Sequence, residues 1–302
     1  MEALLEATLR LAAPLLLAAL GELVVERAGL INIGIEGAML VGAFAGFAVA
    51  SATGSAPAGV AAAILAGAGI GALFAAFAVG RGADQIVVGT AVNLLALGAT
   101  ALAARALWAG APPPAPTVAP LFSGAAAEIP WIGPVLLRQT AFVWAGIALA
   151  AAIGFALSRT RAGLRLRAVG ESARSADAEG VSVGRTRFAA MVFGSALAGL
   201  AGAALSLAQS DTFTEGMTAG RGFIALAVVI FGRWRATGVL LASLFFGLAT
   251  ALQFRLQARG AAIPYPLSLM LPYLVTLAVL ALASGRGRAP GNLGQAYRRE
   301  AA

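Results

Sequence analysis

The sequence contains no cysteine, no histidine and no lysine among its 302 residues. Without cysteine and histidine, the chain has neither the usual ligands of a zinc site nor the general base of a serine hydrolase. Without lysine, it has no phosphate-binding P-loop. We therefore predict no catalytic residue, no metal ligand and no cofactor, and a protein that is not an enzyme. If ATP drives its activity, another chain hydrolyses the ATP.

Charge is also scarce, because only 11% of the residues are charged whereas 60% are hydrophobic. This composition, with a mean hydropathy of +0.88, is typical of a polytopic membrane protein and excludes an ordinary soluble domain. The net charge of +8 does not indicate nucleic acid, because the arginines cluster in loops and tail beside apolar runs. We expect an all-α bundle of transmembrane helices that forms one domain over residues 1–302.

The chain is organised around a polar stretch at residues 159–187, which contains seven arginines. It lies between two uncharged runs, residues 139–158 and residues 188–210, which have 20 and 23 residues respectively. Each run is long enough to cross about 30 Å of hydrocarbon as a helix. Loops rich in arginine stay on the cytoplasmic side of the membrane. We therefore place residues 159–187 in the cytoplasm, together with the arginine-containing tail at residues 285–302.

The apolar runs predict about eight or nine spans, some of them broken or re-entrant. Residues 8–25 form an imperfect first span because they contain Arg10, Pro14 and Glu22. Residues 222–232 are too few to cross the membrane, so they predict a re-entrant segment or half of a broken helix. The proline-rich residues 109–138 contain a single arginine and are assigned to the external side. The full-length runs are residues 37–80 (two spans), 86–104, 139–158, 188–210, 236–254 and 263–284.

The polar stretch has internal signals for a short helix. Ser172 can cap a helix over residues 173–179, and Gly180 can end it in the left-handed conformation. This helix has two interpretations, a solvated connector that carries topogenic charge or a docking element for a soluble partner.

Two segments broken by glycine, residues 29–46 and residues 216–232, stand in the two halves of the chain. Such pairs indicate a binding site near the middle of the membrane, because unwound backbone supplies donors and acceptors there. Asn32 and Glu36 lie on one face if their segment is helical. Glu36 either faces a substrate path or pairs with Arg27 near the interface, and Asn93 either faces the path or makes an interhelical hydrogen bond.

The chain resembles the membrane subunits of ABC importers, in the branch of branched-chain amino acid, simple-sugar and nucleoside permeases, and most closely the nucleoside type. The tail departs from the family pattern at Gly291 and Asn292, where small or aliphatic residues are expected, a difference with no predicted consequence. The resemblance rests on ERAGLINIGIEGAMLVGAF (residues 26–44), ADQIVVGTAVNLLALG (83–98), LRLRAVGESARSADAEGVSV (164–183), GRGFIALAVVIFGRW (220–234) and APGNLGQAY (289–297).

The resemblance implies that residues 159–187 form the coupling loop, whose helix seats in a cleft of the ATPase subunit. It further implies two permease subunits, with a paralogue as the second, an extracytoplasmic substrate-binding lipoprotein, a small-molecule substrate and location in a bacterial inner membrane. From position we assign Asn32, Glu36, Asn93 and Phe223 to the substrate path. Phe223 either stacks on a nucleobase or packs within the bundle. The residues assigned to ATPase coupling are Arg167, Glu171, Ala173, Arg174, Glu179 and Gly180.

The function predicted from the sequence is inward transport of nucleosides by alternating access, powered by the separate ATPase. A sugar or amino-acid ABC permease is the first alternative. An ion-coupled secondary transporter is the second, with Glu22 and Glu36 as its candidate intramembrane acids.

Overall fold

The computed structural model describes residues 1–109, 111–122, 133–258, 274 and 289–297. These residues form α-helices and a five-residue π-helical turn, Gly133–Leu137, and the described part contains no β-strand. The predicted all-α class is confirmed. The helices are α1 (Glu2–Arg27), α2 (Ile35–Thr53), α3 (Ala56–Ala78), α4 (Gln85–Trp108), α5 (Ala141–Arg159), α6 (Arg161–Glu171), α7 (Ala173–Ala178), α8 (Val183–Ala208), α9 (Arg221–Phe231) and α10 (Ala236–Ala258).

Seven of the described helices are long and apolar enough to cross a membrane, namely α1 to α5, α8 and α10. Helix α9 is apolar but has only 11 residues, so the short segment predicted at residues 222–232 is confirmed. The remaining predicted span, residues 263–284, lies outside the described residues. The bundle thus agrees with the predicted eight or nine spans as far as it is described.

Helices α1 and α8 form the centre of the bundle. Of their most apolar windows, 83% and 72% of the residues are buried, compared with 28% for α3, α4 and α5. The prediction of an imperfect first span underestimated α1, which is continuous through Pro14. Its acidic residues face inward, where the Glu22 carboxylate accepts a hydrogen bond from the Asn32 amide and the Glu26 carboxylate accepts one from the Trp234 indole. A hydropathy scale lowers the score of a helix for each acidic residue and takes no account of the hydrogen-bond partners of that residue.

Helix α8 reaches its neighbours through glycine. At Gly199 the backbone of α3 lies so close that an added Cβ would meet the Ala63 carbonyl oxygen and would lie 3.0 Å from the Gly67 Cα. Gly42 of α2 approaches Gly199 from another side. Small residues allow this approach in lipid, where packing replaces the hydrophobic effect as the main source of helix association. Helices α2, α3 and α8 are therefore tightly packed at these glycines.

The polar stretch at residues 159–187 contains two helices. Helix α7 begins where predicted, because the Ser172 hydroxyl accepts a hydrogen bond from the Ser175 amide. It ends at Ala178 with Gly180 at φ +79°, and the amides of Gly180 and Val181 bond back to the Asp177 and Ala176 carbonyls. This is the Schellman ending that glycine favours. The preceding helix α6 was not predicted.

Candidate functional site

The chain leaves helical structure between α1 and α2, at residues 28–34. Asn93 of α4 stabilises the start of α2, because its Oδ1 accepts a hydrogen bond from the Gly37 amide and its Nδ2 donates to the Ile33 carbonyl, both at 2.8 Å. Unpaired backbone groups are costly at membrane depth. Of the two interpretations of Asn93, the structure contains the interhelical hydrogen bond, and its partners are backbone groups.

Asn32 lies within the break and is only 1% exposed. Its backbone amide donates to Glu22 Oε1 at 3.0 Å, and its side-chain Nδ2 donates to Ser195 Oγ of α8 at 3.1 Å. Because α2 begins at Ile35, Asn32 does not share a helical face with Glu36. The side chain of Asn32 therefore lies in the packed interior of the bundle.

Glu36 joins the two broken segments. Its Oε1 accepts a hydrogen bond from the Gly220 amide and its Oε2 accepts one from the Gly222 amide, each at 2.7 Å. These amides belong to the first turn of α9, where free N–H groups and the helix dipole favour a negative charge. Glu36 therefore caps a helix that lies 184 residues further along the chain. Its predicted alternative partner, Arg27, instead bonds to the Trp234 carbonyl oxygen.

Phe223 follows Gly222 in the first turn of α9 and is 47% exposed. Its neighbour Gly222 packs against Glu36, since a Cβ on that glycine would lie 2.7 Å from the Glu36 Cα. The structure thus brings Glu36, Asn93 and the first turn of α9 to the same break, with Phe223 at its accessible edge. A displacement of α9 relative to α2 has to break two charge-assisted hydrogen bonds.

The two candidate acids for an ion-coupled mechanism have different surroundings. Both carboxylate oxygens of Glu36 accept hydrogen bonds from backbone amides. Glu22 is fully buried, and its Oε2 has no hydrogen-bond partner among the described residues. Glu22 was already a candidate intramembrane acid in the sequence analysis. Gln85 and Ser195 also bond to the α1–α2 break, but nothing in the sequence beyond their polarity indicates this role.

The residues assigned to ATPase coupling divide into three groups. Arg174, Glu179 and Gly180 are exposed on α7 and the turn after it. Glu171 and Ala173 instead contact the tail, because the Gly291 amide donates to Glu171 Oε2 and the Ala173 amide donates to Asn292 Oδ1. Arg167 of α6 is turned toward a cleft and has a buried Nε without a hydrogen-bond partner.

The tail segment, residues 289–297, crosses the loop helices and holds them to the bundle. The Asn292 amide donates to the Gly170 carbonyl, and the Tyr297 hydroxyl donates to Asp177 Oδ2 at 3.1 Å. At the far side of the segment, the Gly294 amide donates to the Gly29 carbonyl in the α1–α2 break. Gly291 and Asn292, where the tail departs from the expected pattern, both bond to the loop.

The end of the bundle opposite α7 holds an aromatic cluster that the sequence did not reveal. Trp108 of α4 lies 5.5 Å from the ring of Phe44 and 6.0 Å from that of Phe213. Beside it, Arg105 makes a bidentate ion pair with Glu215, and the hydrogen bond from Arg105 lowers the pKa of the Glu215 carboxyl. A cavity of about 210 Å³ lies between the ion pair and the rings.

Comparison with known proteins gives a family and several relatives. A family model described as the permease component of branched-chain amino acid transport systems matches residues 4–280. The guanosine ABC transporter permease protein NupQ of Bacillus subtilis is 38% identical, over 96% of this chain and 95% of its own length. The nucleoside ABC transporter permease protein NupC of Lactococcus lactis is 36% identical, over 92% of this chain and 90% of its own length.

A third relative carries a different cargo in its name. The "Putative glucose ABC transporter permease protein TsgC13" of Haloferax volcanii is 37% identical over 98% of both chains. Bacillus subtilis and Haloferax volcanii each have a second similar permease, NupP and TsgB13 respectively. No solved structure matches the chain.

Proposed function

The chain belongs to the family of permease components of branched-chain amino acid transport systems, and from this we propose which cargo it transports and in which direction. It is a multi-pass membrane protein and the permease subunit of an ABC transporter. Such a subunit is not an enzyme, because the partner ATPase hydrolyses the ATP. The cargo and the direction of its movement are the parts that we propose.

The cargo that we propose is a nucleoside, moved inward by alternating access. The observation that carries this proposal is the similarity to NupQ and NupC, which extends over nine-tenths or more of the chain. The aromatic cluster of Phe44, Trp108 and Phe213 adds support, since flat bases stack on aromatic rings. Glucose is the second candidate cargo, because TsgC13 is similar over an equal extent.

The proposed transporter contains this chain, an ATPase, a second permease that is a paralogue and an extracytoplasmic binding lipoprotein, in a bacterial inner membrane. The pairs NupQ with NupP and TsgC13 with TsgB13 support the proposal that the second permease is a paralogue of this chain. We assign the coupling role to the exposed residues Arg174, Glu179 and Gly180 of the cytoplasmic loop at residues 159–187. Along the path, Glu36 and Asn93 support the two broken segments and Phe223 faces the cargo.

The test of this function is uptake into proteoliposomes that contain the chain with its partner subunits. With ATP available to the ATPase, we expect uptake of radiolabelled guanosine that unlabelled nucleosides compete away and that glucose, pentoses and branched-chain amino acids do not. A non-hydrolysable ATP analogue serves as the control. Competition by glucose would establish the second candidate, and uptake that follows an ion gradient without ATP would contradict the ABC mechanism.

Reversing the charge at the end of α7 should uncouple ATP hydrolysis from uptake. Because Glu179 is exposed and forms the C-cap of α7, Glu179→Arg should leave the chain folded but disturb the surface presented to the ATPase. Coupling energies are typically about 1–3 kcal/mol, so we expect uptake to fall roughly tenfold while ATPase activity changes less than about twofold.

Two variants control for this result. Glu179→Gln keeps the size of the side chain and should retain most of the uptake. Asp211→Arg makes the same change of charge after α8, at the other end of the bundle, and should have little effect. Unchanged uptake in Glu179→Arg would reject the docking role and would support the solvated-connector interpretation of the loop.

A further inference from the structure

A cleft of about 480 Å³ opens where α1, α5, α6 and the start of α10 meet. Three arginines from three different parts of the chain line it, Arg27 at the end of α1, Arg167 of α6 and Arg235 just before α10. No acidic residue lines this cleft. The remainder of its wall is small or apolar, apart from Ser158 and Thr237.

The positive charge in the cleft is largely uncompensated. Arg27 uses its Nε and Nη2 to bond the neutral carbonyl of Trp234. Among the described residues, Arg167 has a buried Nε without a hydrogen-bond partner, and Arg235 is exposed. The charges of Arg167 and Arg235 both act unfavourably on Arg27, whereas the charge of Glu171 acts favourably on it. An anion bound between the three would relieve this repulsion.

The turn that places Arg235 in the cleft has an unfavourable backbone conformation. Arg233 and Trp234, which precede it, both have positive φ, at 55° and 54°. Non-glycine residues rarely adopt this conformation, because it is sterically unfavourable for a side chain. The turn is held by the bonds from Arg27 and to Glu26 described above. Thus the same contacts that fix this turn bring two arginines to one cleft.

The apolar wall of the cleft is a part of α5 that the other described helices leave exposed. Ala151 and Phe155 are exposed, and Phe155 is 64% exposed. Gly154 lies between them in sequence and leaves a groove, because an added Cβ there would contact only the Ala236 Cβ, at 3.3 Å. Helix α5 is one of the seven helices long and apolar enough to span a membrane, so an exposed apolar groove on it is suited to contact with an acyl chain.

We propose that the cleft binds an anionic phospholipid. The phosphate lies between Arg27, Arg167 and Arg235, and an acyl chain lies along Gly154 and Phe155 of α5. Guanidinium groups bind phosphate oxygens in a bidentate manner, and basic pockets between transmembrane helices bind anionic headgroups. An apolar groove continuous with the arginines favours a lipid over a free phosphate. The proposal does not depend on which cargo the protein transports.

The first experiment is native mass spectrometry of the full-length chain with equimolar phosphatidylglycerol and phosphatidylcholine. We expect at least about fivefold more bound phosphatidylglycerol, and Arg167→Gln or Arg235→Gln should bring the ratio close to one. Arg165→Gln is the matched control, since Arg165 is exposed on the same helix and does not line the cleft. Equal loss in the Arg165 variant would overturn the proposal in favour of diffuse surface charge.

A second variant separates a lipid from a free anion. Gly154→Leu fills the groove and leaves all three arginines in place, so it should abolish the preference for phosphatidylglycerol. If that variant retains the preference, or if inorganic phosphate displaces the lipid from the wild-type chain, the cleft is an anion site and the lipid proposal is wrong. Loss of the preference in the assembled transporter would show that the ATPase covers the cleft, which would also overturn it.

Discussion

Glu36→Ala should separate the two broken segments and reduce uptake at least roughly tenfold. The substitution removes both hydrogen bonds to the Gly220 and Gly222 amides and leaves two partly buried donors without a partner. Hydrogen bonds to charged groups contribute about 1.5–3 kcal/mol each. We therefore expect the free energy of unfolding in detergent to fall by about 3 kcal/mol. Hydrogen exchange should show faster exchange of the first amides of α9.

The matched control is Asp84→Ala at the start of α4. Asp84 also accepts hydrogen bonds from two backbone amides, those of Ile86 and Val87, but both belong to the helix that it begins. Loss of such a local cap costs about 1 kcal/mol and should leave uptake nearly unchanged. If the two variants lose the same stability and the same uptake, Glu36 acts only as an ordinary helix cap, and its role in linking α2 to α9 is rejected.

Gly199→Val should prevent the bundle from forming. The valine side chain would occupy the space of the Ala63 carbonyl and of Gly67 in α3. Backbone atoms cannot move aside as a flexible side chain can, so α8 and α3 would have to separate. We expect a loss of at least about 4 kcal/mol in the free energy of unfolding, which is exceptional for a single substitution. Size-exclusion profiles and thermal unfolding in detergent measure the effect.

Gly98→Val is the control for this substitution. Gly98 is a helical glycine of α4, and a Cβ added there meets no atom within 4 Å. The variant introduces the same β-branched side chain into a long apolar helix and should change stability by less than about 1 kcal/mol. A folded, active Gly199→Val protein would mean that α8 does not pack as closely on α2 and α3 as described here.

Local chemistry was sufficient to predict α7 and the short segment that contains α9, although not α6. The hydroxyl of Ser172 and the backbone freedom of Gly180 set the ends of α7, and Arg221 and Arg233 bracket the eleven uncharged residues 222–232. An interruption within residues 29–46 was also predicted, because glycines break an apolar stretch there. In each case the deciding interaction lies within a few residues of the position that signals it.

The connections between distant parts could not be predicted in the same way. Glu36 and α9 are 184 residues apart, and Asn292 bonds Ala173 across 119 residues, so no periodicity relates either pair. Helix α1 was undervalued for a similar reason, since Glu22 and Glu26 reduce its hydropathy while their partners lie elsewhere in the chain. The side of the membrane on which the loop lies, the coupling role of α7 and the path residues remain predictions.

The position of the tail across α7 also determines the order in which this surface is completed during synthesis. The amide of Ala173 receives its partner Asn292 only after another 119 residues have been translated. At about 5–20 residues per second, this delay is on the order of 6 to 24 seconds. During that time the loop already projects from the ribosome-bound chain without the contacts that hold it. A chain that ends before Asn292 therefore lacks the contacts that Asn292 and Tyr297 make with α7, and its loop surface stays incomplete.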